Sequence, residues 1–99
     1  MIAFNVYLNG IKLCTAGVGD DGVLSTEVCW FRRIGARKKA NFPDEQLTLN
    51  VGGIDGVAEE YVRWQESRSL GVGDEIRVEI IDADTVDHAP IRRPTDEKS

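Results

Sequence analysis

An Asn-Gly pair that follows a strictly alternating stretch is the feature that most constrains this chain. From Ile2 to Leu8 every second residue is a large apolar one, which is the side-chain period of a half-buried β-strand. Asn9-Gly10 comes next, and this pair favours a two-residue β-hairpin because both central residues of the turn need positive φ. The sequence therefore predicts paired strands over residues 2–9 and 11–16, with Leu8 opposite Ile11.

The register of this hairpin predicts one apolar face. A regular ladder places Val6 opposite Leu13 and Phe4 opposite Thr15. A shift by one residue would send the whole apolar set to the opposite face, so we expect the register to be well defined.

A third strand is predicted over residues 23–31, which are rich in β-branched and aromatic types. Alternation places Val28 and Trp30 on the core face, whereas Phe31 points the other way, beside Lys12.

The connection into this third strand is open between two arrangements. If Asp21-Gly22 closes a second hairpin, Cys14 lies opposite Cys29. A longer loop over residues 17–22 would separate the two cysteines. We expect both thiols to be reduced in either case.

Three further strands are predicted over residues 47–51, 61–65 and 75–82, while residues 57–60 are compatible with one helical turn. No amphipathic helix of ten or more residues is visible. The sequence thus predicts a mainly β fold, a small antiparallel β-sandwich or barrel of about six strands with at most one short helical turn. We expect one domain over residues 1–89 and a disordered tail over residues 90–99.

The net charge of the chain limits the kinds of partner that are expected. The formal net charge is −5, which opposes binding to phosphate groups, so neither nucleic acid nor an anionic membrane is expected as a partner. The amino terminus lacks a basic leader region, and no stretch approaches the roughly 18 apolar residues of a membrane span. Two cysteines are too few for a disulfide framework. These features favour a cytoplasmic protein.

Motifs that suggest chemistry fail in their context. Residues 17–22 spell the dinucleotide-binding pattern Gly-x-Gly-x-x-Gly, but a strand follows instead of a helix, and Asp20 and Asp21 would repel phosphate. The acidic run with Asp82, Asp84 and Asp87 lacks the glycine and glutamate of a calcium-binding EF-hand loop. His88 is the only imidazole, so a nucleophile with a histidine base is not expected. We expect no cofactor and no metal.

The most unusual feature is a basic segment directly after the third predicted strand. It holds Arg32, Arg33, Arg37, Lys38 and Lys39. Taking these five charges from the net charge of −5 leaves −10 for the rest of the chain. The segment could contact an acidic partner or phosphate, or it could be a solvated loop that keeps the strand edge from aggregating. Phe31, at the end of the strand, completes the predicted partner-binding residues.

Exposed aromatic side chains would be a second kind of surface for contact with a partner. Trp64 shares a face with Val62, which favours core packing for this indole.

The function predicted from the sequence is a non-catalytic protein-binding or accessory module that engages another protein. One alternative is a small acidic inhibitor of the immunity or anti-defence kind, whose charge would suit a basic target. A second alternative is a carboxylate-dependent enzyme, or one with a metal on Asp82, Asp84 and Asp87. The oligomeric state is left open by the sequence.

Overall fold

The computed structural model describes residues 1–35 and 44–95 of the chain. Within these ranges the chain forms seven β-strands and no α-helix. The strands are β1 (Ile2–Leu8), β2 (Ile11–Ala16), β3 (Gly22–Arg32), β4 (Glu45–Asp55), β5 (Glu60–Ser69), β6 (Ile76–Asp82) and β7 (Ile91–Pro94). The helical turn considered for residues 57–60 is instead a turn over residues 56–59 that leads into β5. The described part of the chain has no helix long and apolar enough to cross a membrane.

The seven strands divide into two antiparallel sheets. One has three strands in the order β2-β1-β6, and the other has four in the order β3-β4-β5-β7. The prediction of a mainly β, antiparallel fold is confirmed, with one strand more than the six expected. Because the strands form two separate sheets around a shared core, the layered alternative applies and the barrel does not.

The core lies between the two sheets. We call the side of each sheet that carries these buried residues its inner face. Val6, Cys14 and Ala16 come from the three-stranded sheet, and Leu49, Val51, Val62 and Trp64 come from the four-stranded sheet. Burial of one large apolar side chain of this kind stabilises the fold by about 1.5 to 3 kcal/mol.

The predicted β1–β2 hairpin forms. Asn9 and Gly10 adopt φ values of 52° and 83°, as the tight turn requires, and Leu8 pairs with Ile11. Beyond the turn the predicted register is wrong, because a β-bulge at Leu13 shifts the ladder by one residue.

The bulge directs Cys14 and Ala16 of β2 to the inner face and Thr15 to the outer face. Val6 pairs with Cys14 instead of Leu13, and Phe4 pairs with Ala16 instead of Thr15. Thr15 consequently lies on the outer face, where its hydroxyl donates to Asn5 Oδ1 at 2.6 Å. The unshifted register would direct this hydroxyl at the apolar core, which is costly without a partner.

Of the two connections left open by the sequence, the hairpin through Asp21-Gly22 does not form, and residues 17–21 separate the two cysteines. β2 pairs with β1 alone and β3 pairs with β4, so the two strands belong to different sheets. Residues 17–21 are the connection between the sheets, and the two cysteines lie on separate sheets. Phe31 is therefore not a cross-strand neighbour of Lys12.

The segment after β6 crosses to the opposite edge of its sheet and protects it. The N–H of Asp87 donates to the Thr15 carbonyl at 2.9 Å, and its Oδ2 accepts from the Thr15 N–H at 2.8 Å. The Asp87 carbonyl accepts from Trp64 Nε1 at 2.8 Å, which satisfies the only polar group of this buried indole. The prediction that Trp64 packs in the core is confirmed, and Asp87 ties the free edge of β2 to the other sheet.

The end of the described chain departs from the expected tail. Ile91–Pro94 form β7 and pair with β5, so a disordered tail does not begin at residue 90. Arg92 Nη1 lies 2.8 Å from Glu60 Oε1 and 3.8 Å from Asp55 Oδ2. The sequence offered little apolar material to anchor this segment, and main-chain pairing with ion pairs holds it instead.

β4 continues through the Gly52-Gly53 pair at which the sequence predicts its end. A Cβ atom at Gly53 would collide with the carbonyl oxygen of Val23 on β3. The glycine therefore permits close packing of two strands and does not break the strand.

Candidate protein interface

β3 is an edge strand with one free side. It pairs only with β4, in an unbroken register from Gly22 opposite Asp55 to Arg32 opposite Glu45. Within residues 1–35 and 44–95 no other strand joins it. A long, regular edge strand of this kind is a template on which another chain can pair.

Two hydrogen bonds flanking β3 define which of its main-chain groups point away from β4. The Arg33 N–H donates to the Asp44 carbonyl at 2.7 Å, and the Gly56 N–H donates to the Asp21 carbonyl at 2.9 Å. Both bonds continue the β3–β4 register, so the odd-numbered residues of β3 are the ones hydrogen-bonded to β4. The even-numbered residues point their N–H and C=O groups outward, namely Leu24, Thr26, Val28 and Trp30.

The inner face of β3 carries two exposed apolar side chains near its end. Val28 and Trp30 lie on the same face as the core residues they pair with, yet they are 55% and 59% exposed. The predicted core face is confirmed for both residues, but neither is buried on it, because β3 is an edge strand of its sheet.

The Trp30 indole is held in a defined orientation. Its Nε1 donates to Glu45 Oε2 at 2.7 Å, across the strand pair. The polar atom of the ring is thus satisfied and the apolar surface remains open. A rigid aromatic side chain of this kind gives a large contact area at a small cost in conformational entropy.

The predicted basic site is described only in part. Arg32 is exposed, and the Arg33 guanidinium stacks on the Phe31 ring with its carbon 4.5 Å from the ring centre. The structure thus places Phe31, Arg32 and Arg33 together at the end of β3. Arg37, Lys38 and Lys39 lie outside the described residues.

Comparisons of the chain with protein-family models, with curated proteins and with solved structures found no match.

The candidate acidic site is not assembled. Asp82 Oδ1 lies 3.1 Å from the amino-terminal ammonium of Met1, whereas Asp87 binds the main chain of Thr15. Within the described residues no group of three or more histidine, cysteine or carboxylate side chains could hold a metal ion. The same residues enclose no pocket.

The two cysteines are free, as predicted, and differ in environment. Cys14 is 4% exposed in the core, whereas Cys29 is partly exposed on the outer face of β3. Burial raises the pKa of Cys14 to about 11, with a further increase from the Asp87 charge and an opposing effect of Lys12. The Cys14 thiol is therefore protonated and shielded at neutral pH.

The sequence predicted a partner-binding site at the basic residues that end and follow β3, which stays a prediction, and it did not predict the exposure of Val28 and Trp30. The signal for Val28 and Trp30 was present, because nine residues from Val23 to Phe31 contain Glu27 as their single charge. Such a strand is either central in a sheet or an edge that needs a partner. Only the order of the strands in the sheet distinguishes a central strand from an edge strand, and local sequence patterns do not reveal that order.

Proposed function

We propose that this chain is a non-catalytic protein-binding module that takes up an extended segment of a partner protein along the free edge of β3. The observation that carries the proposal is the exposure of Val28 and Trp30 on an edge strand whose outward N–H and C=O groups have no strand partner among the described residues. Strand addition gains affinity from main-chain hydrogen bonds and specificity from alternate side chains.

The chemistry of the edge suggests the composition of the partner segment. Apolar residues at every second position would pack on Val28 and Trp30. The segment should also carry acidic residues at the end that meets Arg32 and the basic residues 33, 37, 38 and 39. Complementary charge of this kind steers association and fixes the register of the pairing.

The cellular setting belongs to the same proposal. Two free thiols and a low cysteine content fit a reducing compartment, so we place the protein in the cytoplasm. The identity of the partner then distinguishes an accessory module from an inhibitor. A partner that is a toxin or nuclease would indicate an inhibitor, whereas a subunit of a larger enzyme would indicate an accessory module.

The proposal is tested by capture from the native host followed by titration of the purified partner with two matched variants. Val28→Lys puts a charge on the inner face at the free edge, a device that blocks strand addition. Val23→Lys is the control, because Val23 is 57% exposed on the same strand but points to the outer face. We expect the first variant to lose binding and the second to retain it.

The basic segment is tested separately with Arg37, Lys38 and Lys39 replaced together by glutamate. We expect slower association and a weaker salt dependence, because rim charges act mainly on the association rate. Equal binding by the Val28→Lys and Val23→Lys proteins would contradict strand addition at β3. An unchanged rate after charge reversal would remove the basic segment from the interface.

A further inference from the structure

β6 is a second edge strand with a free side, on the other sheet. It pairs with β1 in an unbroken register from Ile76 opposite Leu8 to Asp82 opposite Ile2. Within the described ranges β1 is its sole strand partner. The free edge therefore belongs to a different sheet from the β3 edge.

Hydrogen bonds at both ends of β6 show which of its main-chain N–H and C=O groups point away from β1. The Ala83 N–H donates to the Met1 carbonyl at 2.8 Å, and the Asn9 N–H donates to the Glu75 carbonyl at 2.9 Å. Both follow the β1–β6 register, so odd-numbered residues bond to β1. The N–H and C=O groups of the even-numbered residues Ile76, Val78 and Ile80 point away from the sheet.

The apolar side chains of Val78 and Ile80 lie on one face of β6, and the charged side chains of Arg77 and Glu79 lie on the other. Ile80 and Val78 lie on the inner face, opposite Phe4 and Val6, but are 69% and 40% exposed. Ile2, a diagonal neighbour of Ile80, is 61% exposed. An apolar strip thus runs along the inner side of this edge.

The outer face of β6 carries two opposite charges. Arg77 stacks over the Tyr7 ring at 4.0 Å, and Glu79 Oε1 accepts from Asn5 Nδ2 at 2.9 Å. Both contacts are made within one copy of the chain, and they fix the orientation of two exposed side chains. The strand thus presents apolar residues on one face and an Arg-x-Glu pair on the other.

We propose that the free edge of β6 pairs with β6 of a second copy of this chain, antiparallel and centred on Val78. A two-fold axis perpendicular to the sheet keeps the two inner faces on the same side. In this register Arg77 lies opposite the second copy's Glu79, and by symmetry Glu79 lies opposite the second copy's Arg77. Ile76 likewise lies opposite the second copy's Ile80, in both directions.

Both faces are therefore complementary from Ile76 to Ile80 in this register. Opposite charges directly across an antiparallel pair stabilise it, and like charges in that position destabilise it. Moving the centre to Arg77 or Glu79 places a charge opposite its own copy. Moving it to Ile80 or Ile76 places Val78 opposite Asp82 or Asp74. Self-complementarity of this kind points to a copy of the same chain as the occupant.

The interface is small. The register centred on Val78 aligns residues 76–80 of the two strands, a paired length of about 17 Å. With an edge about 10 Å high, the pair buries on the order of 350 Å², against about 1,200 Å² or more for stable complexes. We therefore expect a weak, reversible dimer with a continuous six-stranded sheet, β2-β1-β6 followed by the same strands of the second copy.

Sedimentation equilibrium from micromolar to about 1 mM protein tests the dimer. We expect concentration-dependent dimerisation of the wild type. Arg77→Glu and Glu79→Arg should each weaken it by about tenfold or more, because two attractive pairs become repulsive. An equimolar mixture of the two variants should associate again, since every cross-strand pair is then opposite in charge. A variant that failed to fold would not be rescued by mixing.

The outcomes are distinct from those of the β3 proposal. A wild type that stays monomeric at 1 mM overturns the inference, as does a dimer that both single reversals leave intact or a mixture that fails to associate. A dimer abolished by Val28→Lys and retained by the β6 variants would place the copies at β3 and also overturn it. The β6 variants should bind the captured β3 partner normally, so either proposal can fail alone.

Discussion

Val28 and Leu49 face each other across β3 and β4, yet Leu49 is fully buried and Val28 is 55% exposed. Val28 lies on an edge strand of the sheet and Leu49 on the strand next to it. Leu49 lies on β4 beneath the core residues of the other sheet, whereas nothing among the described residues covers Val28. The contrast locates the boundary between the core of this protein and its open surface.

This boundary predicts a large difference in unfolding free energy between two truncations. Leu49→Ala should cost about 2 to 5 kcal/mol, because it leaves a cavity in the core. Val28→Ala should cost less than about 1 kcal/mol, because its methyl groups are already largely in water. Urea denaturation of both variants measures the difference. Similar losses would show that Val28 is covered in solution.

A second pair of matched substitutions concerns threonine hydroxyls. Thr26 Oγ1 is buried without a hydrogen-bond partner among residues 1–35 and 44–95, whereas the Thr15 hydroxyl donates to Asn5. Thr26→Val should leave stability unchanged or raise it by about 1 kcal/mol, since an unsatisfied buried hydroxyl is removed. Thr15→Val should lower it by about 1 kcal/mol. The same urea experiment compares the two, and a loss for Thr26→Val as large as that for Thr15→Val would contradict the assignment.

Acid should weaken the contact between two turns. Asn9 Nδ2 donates to Asp74 Oδ1 at 3.0 Å and the Gly71 N–H donates to Asp74 Oδ2 at 2.7 Å, which together hold the pKa of Asp74 below its usual value of 3.8. A carboxyl with a lowered folded-state pKa stabilises the fold above its usual pKa, and this stabilisation is lost as the pH falls through the folded-state value.

The stability difference between the wild type and Asp74→Asn measures this effect. It should be constant above about pH 5 and shrink as the pH falls below 3.8. Urea midpoints of both proteins at a series of pH values give the profile. A difference that does not change with pH would show that the two hydrogen bonds do not favour the charged form.

The two thiols should react at different rates. At pH 8 the partly exposed Cys29 should react readily with a disulfide reagent such as Ellman's reagent, because attack requires an accessible thiolate. Cys14, buried and with its pKa raised to about 11, should react only as fast as the protein opens. Stopped-flow absorbance of the Cys14→Ser and Cys29→Ser variants assigns the phases. A fast phase that survives in Cys29→Ser would contradict the burial of Cys14.

Local sequence signals predicted the elements of this fold well. The Asn9-Gly10 turn carries its own backbone requirement, and the alternation around it needs no distant partner to be recognised. The bulge at Leu13 was not visible in this way, because it depends on which of Cys14 and Thr15 meets the core.

The order of the strands in the two sheets was not predicted from the sequence. The exposure of Trp30 was missed for that reason. β2 and β3 are adjacent in the chain and lie in different sheets, since residues 17–21 cross from one sheet to the other. Alternation placed Trp30 on the core face, and the register confirms that face. Its exposure follows from strand order, which depends on contacts between segments far apart in the chain.

Residue-resolved amide exchange along β3, measured by NMR in dilute protein without a partner, tests the open edge most directly. We predict an alternating pattern. The N–H groups of Leu24, Thr26, Val28 and Trp30 point outward and should exchange rapidly, whereas those of Ser25, Glu27, Cys29 and Phe31 bond to β4 and should exchange slowly. Uniform slow exchange along the strand would mean that another segment covers this edge, and would contradict its role as a binding surface.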